Sequence, residues 1–149
     1  MVFKIRPASA EDAPACTRIA QAAYAPYVAD IGRRPMPMEA DFAAQIAEGK
    51  VWVATMGDVA GYVVVYPTEG TAWMLENIAV DPSHHGKGLG GALIAHAENT
   101  AQAAGAEAIE LYTNAKMTAN LSLYPALGYL EMSRGKQDGF ERVFFRKTL

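Results

Sequence analysis

Between residues 79 and 91 the chain reads Ala79-Val80-Asp81-Pro82-Ser83-His84-His85-Gly86-Lys87-Gly88-Leu89-Gly90-Gly91. Glycine lets a backbone take positive φ and come close to a ligand. The N–H groups of Gly86, Lys87, Gly88, Leu89, Gly90 and Gly91 can then converge on one point. A helix opening there adds about half a positive charge. That is a cradle for phosphate, with Lys87, His84 and His85 at its rim. Acid–base capacity comes from three other side chains. Period-2 alternation puts Met74, Glu76, Ile78 and Val80 on one strand face, so Glu76 is expected among apolar neighbours with a raised pKa. Glu110 falls between Ala108 and Tyr112 on another strand face. Tyr124 brings a phenol whose ordinary pKa is near 10.

The phosphate reading has rivals. A Walker A loop needs Ser or Thr after Gly-Lys, to hold magnesium; here Gly86-Lys87 is followed by Gly88. A dinucleotide fingerprint needs G-x-G-x-x-G, and Gly86-Lys87-Gly88-Leu89-Gly90 has the wrong last spacing. A plain glycine-rich turn remains open. Adjacent His84 and His85 point in different directions and have no third ligand at metal spacing, so no metal is expected.

The elements that must position these residues alternate in type. A first strand is expected over 2–6. Ser9, with Asp12 three residues on, reads as an N-cap before an Ala-rich helix to about Ala23. Residues 24–37 carry Pro26, Pro35 and Pro37 and read as a loop or broken helix. A second helix is expected over 38–48, closed by Gly49. Strands over 51–55 and 61–66 flank Met56-Gly57-Asp58 as a hairpin. A long strand covers 72–80. A helix covers 90–104, with Leu93, Ile94, Ala97, Ala101 and Ala104 on one face, His96 in solvent and Gly105 as its stop. A strand over 108–113, a short helix over 118–127 and strands over 129–134 and 140–146 complete the chain. The order implies an α/β architecture, a mixed sheet with helices on both faces.

Composition bounds the function. The 149 residues are 51% hydrophobic with a formal net charge of -3. One domain spanning 1–149 is expected. No nucleic-acid or membrane-surface partner is expected at this charge, since binders of long polyanions and anionic membranes sum positive charge. Cys16 is the single cysteine, expected as a small buried hydrophobe. It excludes an internal disulfide and a Cys-rich zinc site. Residues 1–7 have no apolar signal-peptide core, and no apolar run approaches the ~18 residues of a membrane span. A cytoplasmic protein is expected.

The segment from Leu75-Glu76-Asn77-Ile78-Ala79-Val80-Asp81-Pro82 to Gly86-Lys87-Gly88-Leu89-Gly90-Gly91-Ala92-Leu93-Ile94 resembles the acetyl-CoA motif of the GNAT superfamily of N-acetyltransferases. The family signature is Arg/Gln-x-x-Gly-x-Gly/Ala, met by Gly88 and Gly90, with His85 standing where the family has Arg or Gln. Asn120-Leu121-Ser122-Leu123-Tyr124-Pro125-Ala126-Leu127-Gly128-Tyr129 resembles the second family segment, Asn…Tyr-x-x-x-Gly-Phe/Tyr. The resemblance covers the whole chain in element order. It implies a three-layer α-β-α sandwich with a splayed, mainly antiparallel mixed sheet, and acetyl-CoA as cosubstrate. By that resemblance the backbone of Ile78, Ala79 and Val80 pairs with the pantetheine arm like an added strand, and Asn120 hydrogen-bonds it. The family spacing puts an Asn at the position of Met117, which Asn114 and Asn120 straddle. The gap for the arm is expected between the strands over 72–80 and 108–113.

Acetyl transfer to an amine needs a neutral amine, a donor for the oxyanion and a proton for the departing thiolate. The resemblance makes Tyr124 the acid. A phenol is a weak equilibrium acid towards a thiolate of pKa near 8.5, so proximity must do the rest. The competing reading is a half-buried helix aromatic. Glu76 and Glu110 compete as base, each alternatively an ordinary edge charge, and a water chain with no single base is a third choice. Residues 24–38 cover the acceptor site in this family. Tyr24 and Tyr27 would line it, and Arg33 and Arg34 could clamp an acidic group, or else form a solvated basic loop. The acceptor is a small-molecule or protein amine. Two other functions stay open: a non-catalytic acyl-CoA sensor on the same fold, and a different nucleotide binder. The C-terminal aromatic strand around Phe140, Phe144 and Phe145 either completes the core or pairs with a second subunit in a homodimer.

Overall fold

A computed structural model describes residues 3–149; Met1 and Val2, where the first strand was expected to begin, lie outside the described residues. Strand β1 is Lys4–Pro7. Helices α1 (Ala13–Tyr24), α2 (Val28–Ile31) and α3 (Phe42–Ala47) follow. Then come β2 (Val51–Met56), β3 (Asp58–Pro67) and β4 (Ala72–Val80). Helix α4 (Leu89–Ala103), β5 (Ala108–Asn114), α5 (Thr118–Ala126), β6 (Leu130–Gln137) and β7 (Phe140–Thr148) complete the chain.

The entry to α1 shows how the sequence fixes a junction. Asp12 accepts the Ser9 backbone N–H at 2.7 Å and two hydrogen bonds from Arg6 of β1, at 2.7 and 3.1 Å. One carboxylate thus ties the cap to the first strand. The Arg6 guanidinium holds its pKa below the usual 3.8. This stabilisation is complete above the unfolded-state value and is lost as the pH falls through the lower native one. Asp12→Ala should therefore cost about 1–2 kcal/mol at pH 7. Urea denaturation would show the gap to wild type closing below pH 3.8.

Among the described residues seven strands run in the order β1-β2-β3-β4-β5-β7-β6. Every neighbouring pair is antiparallel except β4 and β5, which are parallel. One sheet face packs Val63, Val65 and Leu75 against Leu89, Leu93, Ile94 and Ala97 of α4 and Tyr124 of α5. The other packs Val51, Val53, Tyr62 and Val64 against Cys16, Ile19 and Ala20 of α1 and Phe42 and Ile46 of α3. This is the expected α-β-α sandwich. Cys16 is fully buried, and burial pushes its thiol up to about 12. Helix α4 lies so close to the sheet that a Cβ at Gly61 would sit 3.0 Å from the Ala79 carbonyl oxygen and 3.1 Å from Leu93 Cδ1.

Four local expectations are corrected. The helix over 38–48 is split: a 3-10 turn spans Met36–Glu39, Ala40 is extended at ψ 142°, and Asp41 starts α3 anew by accepting the Ala44 N–H at 3.1 Å. Helix α4 ends at Ala103, leaving Ala104 exposed, because Gly105 at φ 90° turns the chain left-handed. The last hairpin turns at Asp138 and Gly139, both at positive φ, so β6 runs on through Gly135 to Gln137. His96 is only partly exposed, not solvated as expected. Its ring meets Trp52 edge-on at 4.5 Å, Nε2 is buried without a partner, and burial lowers its pKa.

Candidate functional site

The cleft begins where two strands part. β4 and β5 pair from Ala72↔Ala108 to Leu75↔Leu111 and no further. Beyond Leu75, β4 stays paired with β3 on its other side, Val63 with Ile78 and Gly61 with Val80. The edge of β4 towards β5 is therefore open over residues 76–80. A strand with one free edge offers N–H and C=O groups to an extended ligand. Two side chains already reach this stretch. The Tyr24 hydroxyl donates to the Ile78 carbonyl at 3.0 Å, and His85 Nε2 lies 3.3 Å from the Val80 carbonyl.

The parting coincides with a bulge. Val64 pairs with Asn77 but Val65 pairs with Leu75, which leaves Glu76 as the extra residue. The bulge switches the alternation: Leu75 packs on the α4 side, Ala79 on the α1 side. This corrects the expectation that Glu76 shares a face with Ile78 and Val80, which pack towards α4. Its carboxylate instead accepts hydrogen bonds from Tyr66 Oη at 2.8 Å and Gln45 Nε2 at 2.6 Å. Burial and that bond to Glu76 both raise the Tyr66 pKa. Asn77, buried beside it, accepts from Tyr62 Oη at 2.9 Å.

At the end of β4, Asp81 accepts the Ser83 N–H at 3.0 Å and fixes the turn into the glycine loop; that bond lowers its pKa. Gly86 and Gly88 take φ 77° and 81°, which lets the loop fold tightly into α4. Gly88 is the N-cap of this 15-residue helix, so the N–H groups of its first turn have no intrahelical partner. Gly86, Gly88, Leu89, Gly90 and Gly91 all line the cleft. Lys87 lies outside the lining.

The cleft holds about 620 Å³ and runs from this loop to the far side of β5. Tyr124 lines it from α5, 4% exposed, its ring edge-on to Tyr129 at 5.7 Å. Burial alone pushes its phenol up to about 12. Asn120 lines the same wall and donates to Thr113 Oγ1 at 3.0 Å. Asn114 and Met117 line it too. Tyr24 and Tyr27 line the opposite wall with Met36 and Glu39.

Besides Lys87, three expected site residues are not brought to the cleft. Glu110 lies below the parting, opposite Met74 where β4 and β5 are still paired, and Arg146 holds it at 3.2 Å from the neighbouring strand. Arg34 is committed to Glu39 at 2.7 Å and Gln21 at 2.8 Å. Arg33 stacks 4.0 Å over the Phe140 ring and braces that residue from outside. The sequence reading did not single out Gln45, Asn77, Tyr112 or Arg142, all of which line the cleft. One signal was there: Arg142 interrupts the alternating apolar positions Phe140 and Phe144 of the last strand.

An open edge on β4, a glycine loop opening α4 and a buried phenol on α5 thus line one cleft. The chain matches the Acetyltransferase (GNAT) family over residues 16–129 and belongs to that family. No curated protein matches significantly. Among solved structures, the chain is similar to the PaiA N-acetyltransferase of Thermoplasma acidophilum in complex with coenzyme A, with TM-score 0.83, 18% identity and 100% of both chains covered. It is also similar to the ribosomal-protein-S18-alanine N-acetyltransferase of Escherichia coli, with TM-score 0.78 and 24% identity, covering 99% of this chain and 94% of that one. A third is the IAA acetyltransferase of Bacillus cereus, with TM-score 0.75 and 23% identity, covering 99% and 100%. At these identities the likeness is one of fold.

Proposed function

We propose that this chain is an acetyl-CoA-dependent N-acetyltransferase, a single catalytic domain that moves the acetyl group to a primary amine of a small molecule or protein by direct attack in a ternary complex. The observation that carries the reading is the open edge of β4 over residues 76–80, with the glycine loop at one end and Tyr124 across the gap. The fit to the cosubstrate is chemical. Backbone N–H groups from Gly86, Lys87, Gly88, Leu89, Gly90 and Gly91 suit the pyrophosphate. The free edge at Ile78, Ala79 and Val80 suits the amide-bearing pantetheine arm. His85 closes the end of that edge through the Val80 carbonyl.

In this reading acetyl-CoA supplies the activated acyl group, and the chain supplies position and proton traffic. Glu76 takes the proton that the amine must lose. Tyr66 and Gln45 hold its carboxylate in place, so the base does not need to reorganise. Tyr124 stays a phenol across the working pH range, because burial has moved its pKa to about 12. It gives its proton to the leaving sulfur and recovers one from solvent. Asn120 orients the arm from the α5 side.

The test is thiol release. Purified protein with acetyl-CoA and a panel of primary amines should liberate free CoA in an amine-dependent way. Tight CoA binding with no release from any amine would sink the enzyme reading in favour of a sensor. Preference for ATP over acetyl-CoA in calorimetry would overturn the reading of the loop itself.

A further inference from the structure

Arg142 is a buried charge on the acceptor side of the cleft. It lies near the start of β7, opposite Asn114 of β5 on one side and Gly135 of β6 on the other. Its side chain is 6% exposed and lines the cleft. A buried guanidinium is expensive unless its donors are paired. Here the pairing is one-sided. Nη1 makes both of the side chain's hydrogen bonds, to Gln137 Oε1 at 2.7 Å and to Asp138 Oδ2 at 3.3 Å. Among the described residues Nε and Nη2 have no partner, yet neither is sealed from solvent. The one carboxylate it meets, on Asp138, is 61% exposed and so is a weakened counter-charge.

The stacking around Arg142 decides which part of it is available. Its Cζ lies 4.2 Å from the Tyr112 ring centroid and 5.6 Å from that of Phe140. Both rings pack against the guanidinium carbon. The in-plane edge made by Nε and Nη2 stays free, and that edge is the fork that grips a carboxylate with two parallel hydrogen bonds. Arg134 uses this same edge on Glu131, at 3.0 and 2.9 Å. Glu76 lines the same cleft, as does Glu39, which Arg34 neutralises. The acceptor half therefore offers the Glu76 carboxylate and the Arg142 guanidinium.

We propose that Arg142 binds a carboxylate on the acceptor, so that the amine acetylated here belongs to a small amino-acid-like molecule carrying that group. The inference rests on the acetyltransferase reading and names its substrate class. Arg142 takes the carboxylate through Nε and Nη2, and the amine is turned towards Glu76. This clamp is on the sheet, not on the loop bearing Arg33 and Arg34. Burial raises the Tyr112 pKa, with Arg142 pulling it down and Glu76 pushing it up.

The experiment compares each amino acid in a panel with its own carboxamide, in the acetyl-CoA thiol-release assay. Wild type should favour the best free acid by roughly tenfold to a hundredfold in kcat/KM, the range of a charge-assisted pair. Arg142→Gln should bring acid and amide within about twofold of each other, and Arg142→Lys should keep part of the preference. Calorimetric titration with CoA reports whether each variant is still folded. Wild type treating acid and amide alike overturns the proposal, whatever the variants do. So does an unchanged preference in folded Arg142→Gln. If no amine releases thiol, the acetyltransferase reading fails separately. Arg142 is then judged by titrating wild type with free acid and with carboxamide: binding only the acid upholds the carboxylate site, and equal binding or none overturns it.

Discussion

Tyr124→Phe should lower kcat by about a hundredfold or more and leave the affinity for CoA nearly unchanged. General acids contribute about 10²–10⁴-fold when they are well placed. The substitution removes one oxygen and keeps the ring, whose contacts with Tyr129 at 5.7 Å and Phe145 at 5.8 Å are apolar. Packing therefore survives, and the loss falls on chemistry. The pH profile separates this role from a structural one. A phenol with a pKa of about 12 is protonated throughout the range in which amines lose their proton. Wild-type kcat/KM should rise as the acceptor deprotonates, with no fall between pH 8 and pH 10 due to Tyr124. A Phe variant with wild-type kcat would remove Tyr124 from the chemistry, whatever its position on the cleft.

Gly88→Val should weaken CoA binding by about tenfold or more, with a small effect on the melting temperature. Gly88 sits at φ 81° as the N-cap of α4. A β-branched residue held there costs about 1–3 kcal/mol, or the backbone swings away to relieve it. A swing turns the free N–H groups of the first helical turn off the phosphates. A Cβ at Gly88 meets nothing within 4 Å, so the effect comes from backbone conformation and not from a clash. Gly135→Val is the control. Gly135 also has open space around it, but it lies in β6, an edge strand outside the cleft lining, at a φ other residues accept. Calorimetry with CoA should distinguish the two variants. Equal affinities would mean that the loop does not hold the phosphates.

Much of this fold was legible in the sequence because its signals are local. The glycine loop between a strand and a helix and the Ser9–Asp12 cap each depend on residues a few positions apart. The parting of β4 from β5 was expected from the family resemblance, and the pairing ends at Leu75 as it requires. What stayed hidden depends on pairing across strands. Alternation in one strand cannot reveal a bulge, so Glu76 was assigned an apolar setting, whereas Tyr66 and Gln45 hold it. Glu110 looked equivalent to Glu76 until its strand partners were known: Met74 still pairs across from it on β4, and Arg146 neutralises it from β7. Arg33 and Arg34 looked like a substrate clamp because they share a basic loop. The guanidinium that reaches the cleft is Arg142, whose aromatic neighbours come from different strands.

A crystal structure of the acetyl-CoA complex bears on all of these assignments at once. It should show the pyrophosphate on the N–H groups that open α4 and the pantetheine arm along residues 76–80 of β4. The thioester sulfur should lie within hydrogen-bond reach of Tyr124 Oη, about 3.5 Å. A sulfur remote from Tyr124, or a cosubstrate lodged anywhere but between β4 and β5, would refute the assignment of this cleft as the acetyl-transfer site.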